Sequence, residues 1–268
     1  MKRPDLEERF LKVLLYGAPG TTKTRTGASA VFVPEMSPVL MLESAGNPLS
    51  IKDYKPLPTI VTMESMKDYN YPYDFLLRGQ PNKHPFREWC EKSGYELPDE
   101  PFKTVFVDGM TEVQRFAFRV VIPGRDTQPG DVPAATEIQH FNAVLAMMVN
   151  WAYKFIKLDM NVILSSLEAE KQDKSGAIFR RPLLWGQSQG EVSSYVYMVM
   201  RLTQAENMDI RTRAVVANEL AEVKNSQTVG FLKASSSFYA KEQYGIKEPY
   251  LFDPTMKKLW SAINGGKP

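Results

Sequence analysis

Thiols are almost absent from this chain: Cys90 is its one cysteine, so no intrachain disulfide can form. That excludes a small secreted disulfide scaffold and fits a reducing cytoplasm. Net charge is scarce as well, because 33 Lys and Arg against 31 Asp and Glu leave only +2. A balance this even does not announce a nucleic-acid binder, and any DNA contact has to come from a local basic cluster. Long apolar runs are missing. The most apolar helical stretch, residues 143–156, is broken by Asn150 and is too short to span a bilayer. The opening Met1-Lys2-Arg3-Pro4-Asp5-Leu6-Glu7-Glu8 puts acids where a signal peptide needs an apolar core. A protein without a membrane partner is the expectation. There is no internal repeat and no low-complexity segment. What remains is 268 residues, 43% of them hydrophobic, enough for one large α/β domain.

Apolar runs of strand length lie at residues 13–16, 39–42, 104–107 and 161–165, each followed by small or polar residues. Between the last two, Phe141, Leu145, Met148, Ala152 and Ile156 recur at helical spacing within residues 137–158. That stripe reads as core packing. Strands alternating with helical pattern predict a mostly parallel sheet covered on both faces. Residues 195–202 alternate, 203–209 are polar and 210–217 are again strand-like, which predicts an antiparallel hairpin extending one edge of the sheet. Residues 69–85 and 123–133 are rich in Pro, Gly, Asn and Asp and read as exposed loops.

The strand at 13–16 runs directly into Gly17-Ala18-Pro19-Gly20-Thr21-Thr22-Lys23-Thr24, followed by Arg25. Strand, glycine-bearing loop, then Lys-Thr at a helix start is the layout of a phosphate-binding P-loop. Backbone N–H groups and the positive end of the helix dipole are expected to cradle the triphosphate of ATP. Lys23 is expected to reach the β and γ phosphates, and the Thr24 hydroxyl to join the shell of a Mg²⁺ ion. The pattern has one flaw, Thr22 where it asks for glycine.

Asp108 supplies a second motif, a carboxylate at the end of the apolar strand 104–107, the Walker B arrangement. It is expected to hold the metal beside Thr24. Ser165, at the end of the next strand, is the candidate sensor of the γ-phosphate, although serine also favours turns for its own reasons. Two acids compete to position the attacking water: Glu43, ending the strand 39–42, and Glu168, just past Ser165. Either could instead be an ordinary solvated carboxylate.

In this order the features resemble the RecA-like P-loop ATPases encoded by phages, a group of nucleotide-binding and AAA-type ATPases related to phage single-strand annealing proteins and to the recombination factor RadA. The carriers are residues 17–24, Val105-Phe106-Val107-Asp108-Gly109-Met110-Thr111-Glu112, residues 161–171 and Pro182-Leu183-Leu184-Trp185-Gly186. The resemblance implies a RecA-like core over residues 1–220, with residues 221–268 as a C-terminal extension of the same domain that could touch a neighbouring subunit. It implies a homo-oligomer that assists phage DNA recombination or replication, with partner proteins from those processes, in the cytoplasm of an infected or lysogenic bacterial host. Lys241-Glu242-Gln243-Tyr244-Gly245 is similar to the RadA motif whose basic residues reach a neighbour's nucleotide. Lys241 is then a candidate acting across the interface, while Gln243 stands where arginine would be.

Thr22, Gln243 and Ala45, the last where some relatives carry an acid, each weaken stabilisation of the transferring phosphoryl group more than ground-state binding. Slow hydrolysis is the expectation, and a nucleotide-stabilised scaffold without turnover is the rival. A small-molecule phosphotransferase fits less well, because no arginine-rich lid is visible. For single-stranded DNA, Lys171, Lys174, Arg180 and Arg181 with Phe179 and Trp185 offer cations beside rings that can stack on bases, and Arg125 lies in the earlier loop. Glu168, Glu170 and Asp173 dilute that charge, so a solvated lid loop is the alternative.

Overall fold

The structure is a computed structural model and describes residues 10–44, 46, 48–122, 138–172, 174, 176–184, 186, 188–208, 213 and 227–266. Its frame is a ten-stranded sheet. The strands are β1 (Lys12–Gly17), β2 (Val39–Glu43), β3 (Thr59–Thr62), β4 (Thr104–Asp108), β5 (Asn161–Gln172), β6 (Ile178–Pro182), β7 (Met198–Gln204), β8 (Thr228–Phe231), β9 (Lys241–Glu242) and β10 (Tyr250–Phe252). The helices are α1 (Lys23–Ala28), α2 (Asn70–Leu77), α3 (Pro85–Lys92), α4 (Met110–Val121), α5 (Ile138–Ile156), α6 (Ser188–Tyr195) and α7 (Met256–Ile263). Along the sheet the order is β10-β8-β7-β1-β5-β4-β2-β3. The six strands from β7 to β3 run parallel, and β8 and β10 continue the sheet antiparallel. The expected fold class, a mostly parallel α/β sheet with antiparallel strands added late in the chain, is what forms.

All four strands expected from apolar runs are present, and each begins within a residue of its run. They are buried on both faces, so consecutive apolar residues feed two cores rather than one. Leu14, Tyr16, Leu40, Leu42, Val105, Val107, Val162 and Leu164 face the core under α4 and α5. Val13, Leu15, Met41, Phe106 and Ile163 face the other core, with Ala28 of α1 and Met256 and Leu259 of α7. Fully burying each such aliphatic side chain contributes about 1.5–3 kcal/mol. A Cβ on Gly27 would lie 2.5 Å from the Phe106 ring, so glycine lets α1 settle directly onto β4. This alternation decides the chemistry. Carried one step further, Glu43, Asp108 and Ser165 fall on the α1 face, whereas Tyr16, Arg201 and Glu168 fall on the α5 face.

Three expectations change. Residues 69–85 hold α2 and the start of α3 rather than a loop. Pro72 sits in the first turn of α2, where a missing N–H costs nothing, and Pro85 opens α3 with His84 Nδ1 accepting the Phe86 N–H at 3.1 Å. The second correction concerns the strand near residue 200. It lies inside the sheet, beside and parallel to β1, with β8 and β9 as its antiparallel partners. Six of its seven residues are buried, so its apparent alternation was a buried strand interrupted by Arg201 and Thr203. Residues 210–217, apart from Arg213, lie outside the described residues, as does 123–133. Third, the strand at 161–165 does not stop at its serines. β5 runs on to Gln172 and folds back as an antiparallel ribbon with β6, pairing Lys171 with Phe179 and Ala169 with Arg181.

Candidate active site

The P-loop starts where β1 ends. A Cβ on Gly17 would lie 2.2 Å from the Leu202 carbonyl oxygen, so only glycine passes there. The chain turns through exposed Ala18, Pro19 and Gly20, and Thr21 closes the turn by donating its hydroxyl to the Ala18 carbonyl at 2.8 Å. Thr22 precedes α1 at φ 61° and ψ 16°, the left-handed region that the missing glycine would enter freely. A side chain there costs about 1–2 kcal/mol. The Thr22 hydroxyl reaches sideways to Thr228 Oγ1 at 3.3 Å, which ties the loop to β8. Thr22→Gly should therefore raise stability by up to about 1 kcal/mol after the entropy of the added glycine is deducted. Thermal unfolding checks this, and a loss of several degrees would contradict the account.

Lys23 folds back over the loop, its Nζ donating to the carbonyls of Gly17 at 2.9 Å and Ala18 at 2.8 Å. Burial pulls its ammonium down to about 8, opposed by the carboxylates of Asp108 and Glu168. Thr24 Oγ1 donates to Asp108 Oδ2 at 2.7 Å. The other carboxylate oxygen accepts from Ser165 Oγ, which in turn accepts the Gly109 N–H at 2.9 Å. Ser165 thus aims Asp108. Ser44, which the sequence did not flag, donates its hydroxyl to the Asp108 carbonyl at 2.9 Å. Glu43 stands opposite Asp108 in the β2–β4 register, is 2% exposed and shares its face of the sheet.

A Mg²⁺ ion fits these groups. Thr24 and Asp108 offer a hydroxyl and a carboxylate, hard oxygen donors held at one point. Mg²⁺ characteristically takes one or two such protein ligands and completes its shell with phosphate oxygens and water.

Other predicted residues sit elsewhere. Glu168 lies on the opposite face, where its carboxylate accepts from Arg201 Nε at 2.7 Å and lies 3.6 Å from Arg180 Nε. Arg201 and Glu168 are 3% and 8% exposed, and the Arg201 guanidinium stacks on Phe238 at 5.1 Å. A lone arginine in the run Met198-Val199-Met200-Arg201-Leu202 was the available signal for this pair. In this structure Glu168 is the ion-pair partner of Arg201. Arg25 turns to the segment after β2, paired with Asp53 at 2.9 Å and over the Tyr54 ring at 4.9 Å. Lys241 donates to the carbonyls of Ser193, Ser194 and Val196 at 3.1, 3.0 and 2.8 Å. Its ammonium caps the end of α6 of its own chain.

The β5–β6 ribbon has two unlike faces. Glu168, Glu170 and Arg180 share one, with Arg180 Nε bonded to Glu170 at 2.9 Å. Lys171, Phe179, Ala169 and Arg181 share the other. Glu168 and Glu170 are thus separated from Lys171 and Arg181 by the pleat, and exposed Lys174 stands at the ribbon tip. Trp185, Asp173 and Arg125 lie outside the described residues.

The sequence profile of the family described as "AAA domain" matches residues 9–244. The chain belongs to the AAA domain family. It is accordingly an AAA-type P-loop ATPase domain, and the motifs at Gly17 to Thr24 and at Asp108 lie within the matched span. No curated protein matches it. Solved structures do, among them a DnaB-like replicative helicase described with its interactions with primase, at 14% identity and a TM-score of 0.44. That match covers 91% of this chain and 54% of the helicase chain, so the AAA domain spans about half the helicase's length. Among the described residues no helix is long and apolar enough to cross a membrane.

Proposed function

We propose that this AAA domain binds ATP with Mg²⁺ and hydrolyses it slowly, as part of a homo-oligomer that handles single-stranded DNA during phage recombination or replication in the host cytoplasm. The observation that carries the reading is the convergence of Thr24 and Asp108 at 2.7 Å with Glu43 one strand away on the same face. In this reading the loop N–H groups and Lys23 hold the phosphates. Bound Mg²⁺, at Thr24 and Asp108, supplies neutralising charge on the β and γ phosphates. Glu43 orients a water and takes its proton as the water oxygen bonds to the γ-phosphorus and the bond to the β–γ bridging oxygen breaks, releasing ADP and phosphate. Ser165 keeps Asp108 aimed throughout. The face of the ribbon bearing Lys171, Phe179 and Arg181, with Lys174 at its tip, is the surface for a single strand, cations meeting phosphates beside a ring.

Lys23→Ala should weaken ATP binding about a hundredfold or more in a calorimetric titration, since it removes the one cation of the loop. Unchanged affinity would overturn the assignment. A second reading, a nucleotide-stabilised scaffold without turnover, is favoured by Lys241 being bonded within its own chain and by strained Thr22 in the loop. Phosphate release measured with and without single-stranded DNA separates the two readings, because stimulation by DNA eliminates the scaffold.

A further inference from the structure

Asn150, the polar break in the most apolar stretch of the sequence, is not explained by the P-loop. It opens onto a cavity of about 240 Å³ between α2, the end of α4 and the last turns of α5. Tyr73, Trp151 and Phe155 give this cavity aromatic walls, and Lys67 and Lys154 stand over it, with no acid among the described residues of the lining. The nearest carboxylate in sequence, Asp68, accepts the backbone N–H groups of Glu64 and Ser65 at 2.9 and 2.8 Å. Lys154 leans inward, its ammonium 5.8 Å from the centre of the Tyr73 ring. The indole N–H of Trp151 is buried and finds no acceptor among the described residues. A buried donor left without a partner is costly, and an acceptor on a bound molecule would remove that cost.

These features select a ligand class. Aromatic walls favour a flat ring, an amide can pair with the edge of a base, and two ammonium groups with no acid among the described lining residues favour an anion. The volume is below that of a site for a drug-sized molecule, about 300 Å³ or more, and suits one planar ring with its charged remainder at the surface. We propose that this cavity binds a nucleotide unit, its base held by Trp151, Tyr73 and Asn150 and its phosphate by Lys67 and Lys154, as a site separate from the P-loop. The floor leads back to the catalytic acids. Tyr69 meets the Trp151 ring edge-on at 5.2 Å, and its hydroxyl lies beside Ser44, which bonds the Asp108 carbonyl. A nucleotide seated on Trp151 is therefore one ring and one serine away from the hydrolytic centre.

The test uses the full chain carrying Lys23→Ala, so that P-loop binding does not contribute. AMP and a short single-stranded oligonucleotide are titrated separately by calorimetry, which distinguishes a free nucleotide from a base of a strand. At least one should bind saturably, and Asn150→Leu with Lys154→Ala should weaken that binding about tenfold or more. The same pair of substitutions in an otherwise native chain should leave ATP binding at the P-loop intact, so failure here is distinguishable from failure of the ATPase reading. Lys67→Ala, on the exposed rim, repeats the comparison if the double variant does not fold. Absence of binding by both probes at millimolar concentration, or binding indifferent to these substitutions, overturns the proposal.

Discussion

Glu43→Gln is expected to lower ATP turnover about 100- to 1,000-fold while ATP still binds. The substitution keeps the shape of the side chain and its place opposite Asp108, but an amide cannot take a proton from water, and a positioned general base is worth about 10²–10⁴ in rate. Lys23 and the Thr24–Asp108 pair are untouched, so calorimetric affinity should move little. Single-turnover phosphate release separates the chemical step from product release. Turnover at the native rate would remove Glu43 from the chemistry. Loss of ATP binding together with turnover would make it a structural carboxylate.

The second large effect concerns the other acid that the sequence offered for the same task. Glu168→Ala should destabilise the fold by about 3–5 kcal/mol, because it leaves the guanidinium of Arg201, 3% exposed, without its carboxylate. For a chain of this size that is roughly a 10 °C fall in melting temperature. Arg180 loses part of its partnership too, although Glu170 still holds it at 2.9 Å. The two acids thus separate by kind of damage, one in rate at constant stability and one in stability. An unchanged melting temperature for Glu168→Ala would show that water reaches the Arg201 pair.

Much of this was legible because it is local. A buried strand must be apolar, a tight passage needs Gly17, and a carboxylate at a strand end stands out against Val105, Phe106 and Val107. What stayed hidden depends on register over long separations. That Glu43 and Asp108 share a face with Ser165, while Glu168 does not, follows from the parity of each strand, and one residue's slip would exchange the faces. The ribbon was hidden because Glu168 to Lys171 are polar enough to read as a turn. Only pairing with residues 178–182 makes them strand. Pro72 and Pro85 read as loop markers until each proves to lie in the first turn of a helix. The capping bonds of Lys241 link residues about fifty positions apart, beyond the reach of a five-residue motif.

One unbroken backbone, β5, carries Ser165 near its middle and Lys171 near its tip. Six residues at about 3.3 Å each make that a stiff rod of roughly 20 Å. A load on the outer end has no hinge in which to dissipate before it arrives at the oxygen that aims Asp108. On the proposed reading, tension on a strand held by the ribbon and the pose of the Asp108 carboxylate would be two ends of one mechanical element.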